Sequence, residues 1–285
     1  MLLIDYILNL AGLLVWLHWR AMSFDPLART TPATLVGTLR RAEPQRLRPW
    51  QLLLGLTSLL VVRAWLYWQV GSAAGWTATL HLGFVVLAFR SDFFVTALLY
   101  SFLSFAKVLL IVYFWLVVLI LINRASTELD PIQRLIRLHL GRVAHWPGFV
   151  LVLLPFVVTV WLWVMAHPLL EMAGVVNASR STWHVVLQGL LIGCAVWVTL
   201  KYLLPGILFA HLIANYVYLG SSPLWDFTAS TSKRVLHLLR RLPLRFGRLD
   251  LAPVVGAVLL LLLLDALPNY LLVRYPDLRR AIWPM

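Results

Sequence analysis

Two charged residues, Arg63 and Asp265, stand within apolar stretches that are long enough to cross a membrane. Arg63 lies fourteen residues after Pro49 and Asp265 lies twelve residues after Pro253, a difference in depth of about 3 Å at the rise of an α-helix. A charge at mid-membrane costs about 2.5–3.5 kcal/mol or more unless it is paired. The spacing therefore predicts an Arg63–Asp265 ion pair, which is favoured as a structural lock over a proton or ion relay.

The histidines raise the question of a metal or haem site. Three of the eight, His18, His167 and His211, fall in apolar stretches. None belongs to a His-Glu-x-x-His or Cys-x-x-Cys-His motif or lies four residues from another histidine, so no metal and no cofactor is expected. His167 and His211 are predicted to be helix-end groups. Gly-x-Ser-x-Gly and Gly-rich phosphate loops are absent from the sequence as well, so an enzyme is not favoured.

The composition excludes an ordinary soluble domain. Of 285 residues, 61% are hydrophobic and 12% are charged, and the mean hydropathy is +0.86, whereas a soluble domain has about 50% apolar and about 25% charged residues. The 13 Phe, 14 Trp and 9 Tyr exclude a disordered chain, and the single cysteine, Cys194, excludes an internal disulfide. The expected fold class is all-α, in a polytopic membrane protein.

Six apolar stretches are predicted to form transmembrane helices, because a crossing needs about 20 apolar residues. They are residues 2–19, 52–70, 93–122, 149–167, 185–219 and 254–273. The third and fifth would form helices of about 45 and 52 Å, longer than the ~30 Å hydrocarbon core, so each is expected to begin as an interfacial or re-entrant piece. Pro205-Gly206 is the expected kink in the fifth.

The basic residues indicate an orientation. Sixteen of the 24 Lys and Arg residues fall in three connectors, residues 20–51, 124–148 and 220–253. The opposite loops hold one each, Arg90 and Arg180. Because basic connectors stay in the cytoplasm, both termini are predicted outside, and the chain is predicted in a bacterial inner (plasma) membrane. The exceptions at the outer end are Arg274, Arg279 and Arg280.

One pattern recurs three times: an apolar helix, a proline-containing break, a basic amphipathic stretch and a second apolar helix. The breaks are Asp25-Pro26-Leu27, Asp130-Pro131-Ile132 and Ser222-Pro223-Leu224. Asp and Ser cap helices and Pro suits the first helical position, so each break predicts a helix start. The predicted repeat units are residues 1–75, which is degenerate, 76–175 and 176–285.

The stretches after these breaks are predicted to form amphipathic helices at the membrane surface. The apolar positions of the second are Ile132, Leu135, Ile136, Leu140 and Val143, and those of the third are Val235, Leu238, Leu239 and Leu242. Each basic residue near an anionic leaflet contributes about 1 kcal/mol. The candidates for contact with anionic headgroups or a partner are Arg40, Arg41, Arg134, Arg137, Lys233, Arg234, Arg240 and Arg241. The alternative is that these residues obey the topology rule and bind nothing specific.

The third unit carries three motifs in succession: Ser222-Pro223-Leu224, Leu239-Arg240-Arg241-Leu242-Pro243 and Gly247-Arg248-Leu249-Asp250-Leu251-Ala252-Pro253. They resemble the YggT family of integral membrane proteins, also called YlmG. The match at 130–148 is partial, because His145-Trp146-Pro147 replaces the last motif. At 25–50 only Asp25-Pro26-Leu27 and Leu39-Arg40-Arg41 match. Family members usually carry one or two units, so three would be a departure.

The resemblance implies a small non-enzymatic membrane protein with no catalytic residue set. Members of the family are linked to cell-envelope and division processes, to osmotic tolerance and, in chloroplasts, to cytochrome complex assembly and nucleoid organisation. The matching positions include Gly247, Asp250 and Pro253. Asp250 is predicted either to cap the last helix or to pair with Arg240 or Arg241.

The expected function is that of a scaffold, an assembly factor or an accessory subunit of a membrane or cell-envelope complex. Its partners would be other membrane proteins or a second copy of the chain, together with anionic lipids. Nucleic acid is not expected, because the basic charge is divided among short helices. The alternative is an ion or small-solute transporter or channel whose path would use Arg63, Lys107, Lys201 and Asp265. Against it, the fourth and sixth predicted helices offer almost no polar residue beyond Thr159 and Asp265.

Overall fold

The structure, a computed structural model, is mostly helical. It describes residues 2–24, 48–74, 77–83, 85–124, 131–178, 181–217, 220, 222–237, 245–246 and 249–274. The helices are α1 (Leu2–Phe24), α2 (Pro49–Ala74), α3 (Phe94–Ile122), α4 (Pro131–Leu140), α5 (Gly148–Met172), α6 (Thr182–Val198), α7 (Leu200–Tyr216), α8 (Pro223–Val235) and α9 (Ala252–Arg274). A 3-10 helix, Gly141–His145, follows α4. Strand β1 (Ala78–His81) pairs with β2 (Val86–Phe89), and β3 (Arg245–Phe246) pairs with β4 (Leu249–Asp250).

Four helical segments among the described residues are long and apolar enough to cross a membrane. They are Pro49–Gly71, Phe94–Ile122, Gly148–Met172 and Thr182–Tyr216. The last of these contains both α6 and α7. Helices α1 and α9 form where the first and sixth crossings are expected, and the described apolar part of α9 is the shorter segment Ala252–Ala266. The expectation of a mostly helical chain with long apolar helices is confirmed at this level.

The chain divides into two compact units. Unit 1 consists of Met1–Leu80 with Ala88–Leu110, and unit 2 consists of His81–Leu87 with Ile111–Met285. Helix α3 contributes its first part to unit 1 and its last part to unit 2. The three predicted repeat units stay a prediction.

The core of unit 1 is built by α1, α2 and the first part of α3. Leu56, Leu60 and Phe105 form a buried cluster, against which Val15 and Trp16 of α1 pack. The close approach of α1 depends on Gly12, because a Cβ atom there would lie 2.9 Å from Cε2 of Phe105. Since the later residues of α1 meet the earlier residues of α2, the two helices are antiparallel.

A β-hairpin between α2 and α3 is a feature that the sequence analysis missed. Its residues alternate between buried (Ala78, Leu80, Leu87, Phe89) and exposed (Thr79, His81, Val86, Ala88). The amide of Leu82 donates to the carbonyl of Val85, 2.8 Å away, and Gly83 takes a φ of +85°, the left-handed conformation that a two-residue hairpin turn requires.

The tip of this hairpin packs against the C-terminal part of α6. A Cβ atom on Gly83 would lie 2.2 Å from Cβ of Ala195, which is thirteen residues after the first residue of α6 and so about 20 Å along the helix axis. An interfacial or re-entrant piece was expected at the start of the segment 93–122. Helix α3 is one unbroken helix of 29 residues that the hairpin precedes. That the segment begins at the interface or as a re-entrant piece stays a prediction.

Helices α6 and α7 are separated at Thr199 and not at the expected Pro205-Gly206. Pro205 lies inside α7. The hydroxyl of Thr199 donates to the carbonyl of Val196, 2.6 Å away, and it accepts from Nε1 of Trp115, 3.1 Å away. A side-chain hydroxyl that donates to a carbonyl of the preceding turn competes with the backbone hydrogen bonds of the helix and bends the helix. This local competition explains a break six residues before the proline.

Helices α5 and α6 pack closely through two glycines spaced four residues apart. A Cβ atom on Gly189 would lie 2.8 Å from the backbone Cα of Val160, and one on Gly193 would lie 2.8 Å from Cδ1 of Phe156. Small residues at this spacing let two membrane helices approach each other and pack by van der Waals contact. The two helices are antiparallel, because the later glycine meets the earlier residue of α5.

We predict that Gly189→Ala loosens the contact between α5 and α6. The added methyl group meets backbone that cannot rotate away, and overpacking of this kind costs about 1–3 kcal/mol. Thermal unfolding of the full chain in nanodiscs would show a lower melting temperature. The matched control is Gly206→Ala in α7, where a Cβ atom meets nothing within 4 Å. An equal effect of the two substitutions would contradict the packing role.

Candidate functional site

Each of the three helices that the structure describes in unit 1 contributes two polar side chains that lie one turn apart. Residues four positions apart share a face of a helix, so each helix presents a short polar patch. The three pairs are Asp5 and Asn9 of α1, Arg63 and Tyr67 of α2, and Tyr100 and Ser104 of α3. The patches converge, and the six side chains form a hydrogen-bonded cluster that we call the Arg63 network.

Arg63 is the centre of this network and its side chain is fully buried. Its Nη2 lies 2.6 Å from Oδ1 of Asp5 and donates to Oγ of Ser104 at 3.0 Å. Its Nη1 donates to Oδ1 of Asn9 at 2.7 Å, and its Nε lies 3.4 Å from the hydroxyl of Tyr67. All three guanidinium nitrogens therefore have partners on α1, α2 or α3.

Both oxygens of the Asp5 carboxylate also accept hydrogen bonds. Oδ1 accepts from Arg63 and from the hydroxyl of Tyr67, and Oδ2 accepts from the hydroxyl of Tyr100 at 2.9 Å. The guanidinium carbon of Arg63 lies 5.4 and 5.6 Å from the centroids of the Tyr67 and Tyr100 rings, within the range of a cation–π contact. A buried ion pair offsets its desolvation only when further hydrogen bonds complete it, and here they do.

The predicted Arg63–Asp265 pair is wrong. Arg63 pairs with Asp5 in unit 1, and Asp265 pairs with Lys201 in unit 2, where Nζ and Oδ1 are 2.6 Å apart. Equal depth is not sufficient for contact. Helix α1 runs antiparallel to α2, so its early residue Asp5 lies at the level of Arg63 and pairs with it. The Lys201 and Asp265 side chains are 24% and 55% exposed, so this second pair is not enclosed as the Arg63 network is.

Lys107, the remaining candidate for a transport path, differs from the other charges. It lies thirteen residues after the first residue of α3 and is half-buried. It makes no hydrogen bond or ion pair with any residue that the structure describes.

Of the basic residues predicted to contact headgroups or a partner, some are exposed and others are partly buried. Arg134 and Lys233 are exposed, whereas Arg137 and Arg234 are partly buried. The predicted contacts at Arg40, Arg41, Arg240 and Arg241 lie outside the described residues. Nη1 of Arg234 donates to the carbonyl of Ile122 at 3.3 Å. This guanidinium therefore caps the C-terminal end of α3, where a positive charge meets the negative end of the helix dipole.

Helices α4 and α8, with the 3-10 helix Gly141–His145, surround the end of α3, and we call this group the connector layer. Nδ2 of Asn123 donates to Oγ1 of Thr231 at 2.9 Å, and Nε2 of Gln133 donates to the carbonyl of Asn123 at 2.8 Å. The bond from Gln133 satisfies a carbonyl that the end of α3 leaves unpaired, and the bond from Asn123 joins its side chain to α8. They fix α4 and α8 to the end of α3.

The apolar side of α4 was expected to face the membrane, and this is wrong for two of its residues. Ile136 and Leu140 are buried in a protein core with Val117, Leu151 and Phe227. They are covered because α3, α5 and α8 supply apolar side chains at the same level. Leu135 and Leu138 on the other side of α4 remain exposed.

Of the motif residues, the prolines at 131 and 223 behave as predicted. Each is the first residue of its helix, α4 or α8. The hydroxyl of Ser222 accepts from the amide of Leu224 at 3.4 Å and caps α8. Asp25, Pro26, Asp130 and Gly247 lie outside the described residues.

Asp250, in the last of the three motifs, is not the cap of α9 that was expected as one alternative. Asp250 belongs to β4 and stands opposite Arg245 of β3, and α9 begins two residues later at Ala252. Pro253, the second residue of α9, is fully buried. The pairing of Asp250 with Arg240 or Arg241 stays a prediction.

Comparisons of the chain with family models, with curated proteins and with solved structures find no match. The resemblance to the YggT family therefore stays a prediction that rests on the motif residues. A signal that would have found the Arg63 network was present in the sequence. It is the repeated spacing of four between polar residues in three apolar stretches, Asp5/Asn9, Arg63/Tyr67 and Tyr100/Ser104.

We predict that Asp5→Asn lowers the free energy of unfolding by about 3 kcal/mol, because it leaves Arg63 buried without a counter-charge. The double variant Asp5→Asn/Arg63→Gln should lose less than the sum of the two single losses, since paired groups in contact are coupled. Unfolding of the full chain by dodecyl sulfate in mixed micelles measures these values. Asp92→Asn is the control, because the Arg90–Asp92 pair is exposed. Strict additivity of the two substitutions would rule out the pairing.

We also predict that Arg234→Gln weakens the last turn of α3. Loss of a charged cap costs about 1 kcal/mol, which corresponds to roughly fivefold faster amide hydrogen exchange at Ile122 and Asn123. Lys233→Gln removes a neighbouring charge that is exposed, so it should leave this exchange unchanged. Hydrogen exchange with mass spectrometry on the chain in nanodiscs provides the comparison. Equal exchange in the two variants would show that Arg234 does not cap α3.

Proposed function

We propose that this chain is a non-enzymatic integral membrane protein of YggT type that acts as a scaffold, an assembly factor or an accessory subunit of a membrane or cell-envelope complex. The observation that carries the proposal is that the charged groups of the Arg63 network form all their hydrogen bonds within unit 1. Every hydrogen-bonding nitrogen of Arg63 and both oxygens of Asp5 are occupied by side chains of the same unit. Such a cluster holds helices together and leaves no charged group for a substrate.

The proposed arrangement has six crossings, with the basic connectors in the cytoplasm of a bacterial cell and both termini outside. It is supported by the four spans described above and by the positions of α1 and α9. It is also supported by the connector layer, because the end of α3, the start of α5 and helices α4 and α8 come together in unit 2. All of these fall in or beside the basic connectors.

The proposed contact surface is the exposed part of the connector layer. It combines basic residues that are exposed, Arg134, Arg142 and Lys233, with the exposed apolar side chains Leu135 and Leu138. Because α4 is fixed to the end of α3, this surface is presented by a supported helix. It suits a partner that carries acidic residues beside an apolar patch, or the anionic headgroups of the membrane.

A transporter or channel is the second candidate, and two observations favour it. Lys107 is a half-buried cation within a candidate span, without a partner among the described residues. The β-hairpin brings non-helical backbone alongside α6, and such backbone is tolerated at membrane depth where protein covers it or where it lines a cavity. Each of these features, taken within its own unit, is of a kind that a path for ions or small solutes uses.

A pull-down of the tagged full chain in nanodiscs, with mass spectrometry, tests the scaffold proposal. We predict a defined set of membrane proteins that co-purify with the wild type and are lost with Arg134→Glu/Lys233→Glu, because the basic surface is inverted. The matched control is Arg90→Glu, an exposed residue of an opposite loop, which should retain the set.

A homo-oligomer with no other protein would contradict the proposal. Ion flux through liposomes that contain the wild type, together with loss of this flux in Lys107→Gln, would favour the transporter. The Arg90→Glu variant should conduct as the wild type does in that case.

A further inference from the structure

The ion pair between Lys201 and Asp265 lies on the surface of unit 2 at membrane depth. Lys201 is nineteen residues after the first residue of the candidate span Thr182–Tyr216, which has 35 residues, so it stands near the middle of that span. More than half of the Asp265 side chain is exposed. Charged residues in membrane spans almost always face the interior of a bundle or a water-filled cavity. An exposed pair at this depth therefore indicates a surface that something other than lipid covers.

The packing of α7 against α9 holds this pair in place. Leu208 of α7 is buried with Ala252 at the start of α9, and Leu260 packs against them. Lys201 lies two turns before Leu208 in α7 and bonds to Asp265, which lies later in α9. The two helices are therefore antiparallel, and the ion pair is a second fixed point of their contact.

Apolar side chains on the same face of α9 as Asp265 are exposed as well. Three of them stand seven, four and three positions before Asp265, and residues at these spacings share a face of a helix. On α7 the exposed ring of Tyr202 has its centroid 5.4 Å from Nζ of Lys201. We call this group the α7–α9 surface, which consists of Lys201, Tyr202, Val258, Leu261, Leu262 and Asp265.

Both charges of the pair can form further hydrogen bonds. Oδ2 of Asp265 accepts none from the residues that the structure describes. An ammonium group has three N–H donors, of which Lys201 gives one to Oδ1 of Asp265. A twofold axis beside the pair would bring Lys201 of one copy to Asp265 of another, so that four charges alternate in sign. The interface of a twofold dimer is self-complementary in this way.

We propose that two copies of the chain associate in the membrane through the α7–α9 surface, with Lys201 of each copy donating to Asp265 of the other. A second copy fits this surface because it supplies an acceptor and a donor at matching positions, whereas lipid tails supply neither. Close packing and hydrogen bonds between helices are what stabilise such contacts in lipid. The surface is separate from the connector layer, so this inference goes beyond the proposed scaffold function and does not depend on it.

Cysteine cross-linking of the full chain in proteoliposomes tests where the copies meet. The background is Cys194→Ser, which removes the single cysteine of the chain. Leu262→Cys is expected to form a disulfide-linked dimer when copper phenanthroline is added as the oxidant. The matched control is Val157→Cys in α5, because Val157 and Leu262 are 64% and 61% exposed. It should remain monomeric at the same ratio of protein to lipid.

Charge exchange tests the bonds between copies. Copies with Lys201→Asp have two acidic residues at the pair and copies with Asp265→Lys have two basic ones, so neither kind should associate with itself. Reconstituted together, they should form a mixed dimer, which energy transfer between labelled copies detects. The double variant Lys201→Leu/Asp265→Leu leaves no unpaired charge at this position. It should fold as the wild type does and dimerise at least tenfold more weakly.

A wild type that stays monomeric at every ratio of protein to lipid would overturn the proposal. Equal cross-linking of Leu262→Cys and Val157→Cys would do so too, as would a double leucine variant that dimerises as the wild type does. Recovery of another membrane protein on the α7–α9 surface in place of a second copy would also overturn it. If the charge variants fail to fold, the cross-linking comparison still decides, because it keeps both Lys201 and Asp265.

Discussion

The burial of one guanidinium group constrains the whole of unit 1. Arg63 cannot be taken out of water unless α1 supplies the carboxylate of Asp5 and α3 supplies the hydroxyl of Ser104. A shift of any helix by one turn, about 5.4 Å, would remove these partners and leave a charge unpaired in an apolar surrounding. The three helices therefore have one register that is far more stable than its neighbours.

In unit 2 the positions of the helices are set by close packing and by hydrogen bonds at a helix end. Helices α5 and α6 are positioned by small residues, since Gly189 and Gly193 let the backbones approach. The end of α3 is positioned by hydrogen bonds to its last carbonyls from Gln133 and Arg234. Lipid is as apolar as the helices themselves, so close packing and polar contacts have to replace the hydrophobic effect as the source of specificity.

The sequence predicted the helices well, because long apolar runs and proline starts are local signals. Pro131 and Pro223 begin helices where they were expected. The ion pairs were not predictable in the same way, since depth alone cannot say which helices are neighbours: Arg63 pairs with Asp5 and Asp265 pairs with Lys201. The β-hairpin was missed because its alternation covers only four residues in each strand. The break at Thr199 was missed because the hydroxyl that bonds locally to Val196 also accepts from Trp115, a residue remote in sequence.

The capping of α3 has a consequence for the order of events during biosynthesis. All six residues of the Arg63 network have been translated once Ser104 is made, whereas the cap that Arg234 of α8 gives to the carbonyl of Ile122 joins residues 112 positions apart. At 5–20 residues per second, the ribosome needs roughly 5–20 s to make that second partner. During this interval the last turn of α3 has no cap from α8. Unit 1 can therefore reach its final packing while the nascent chain is still being made, and the connector layer is completed only afterwards.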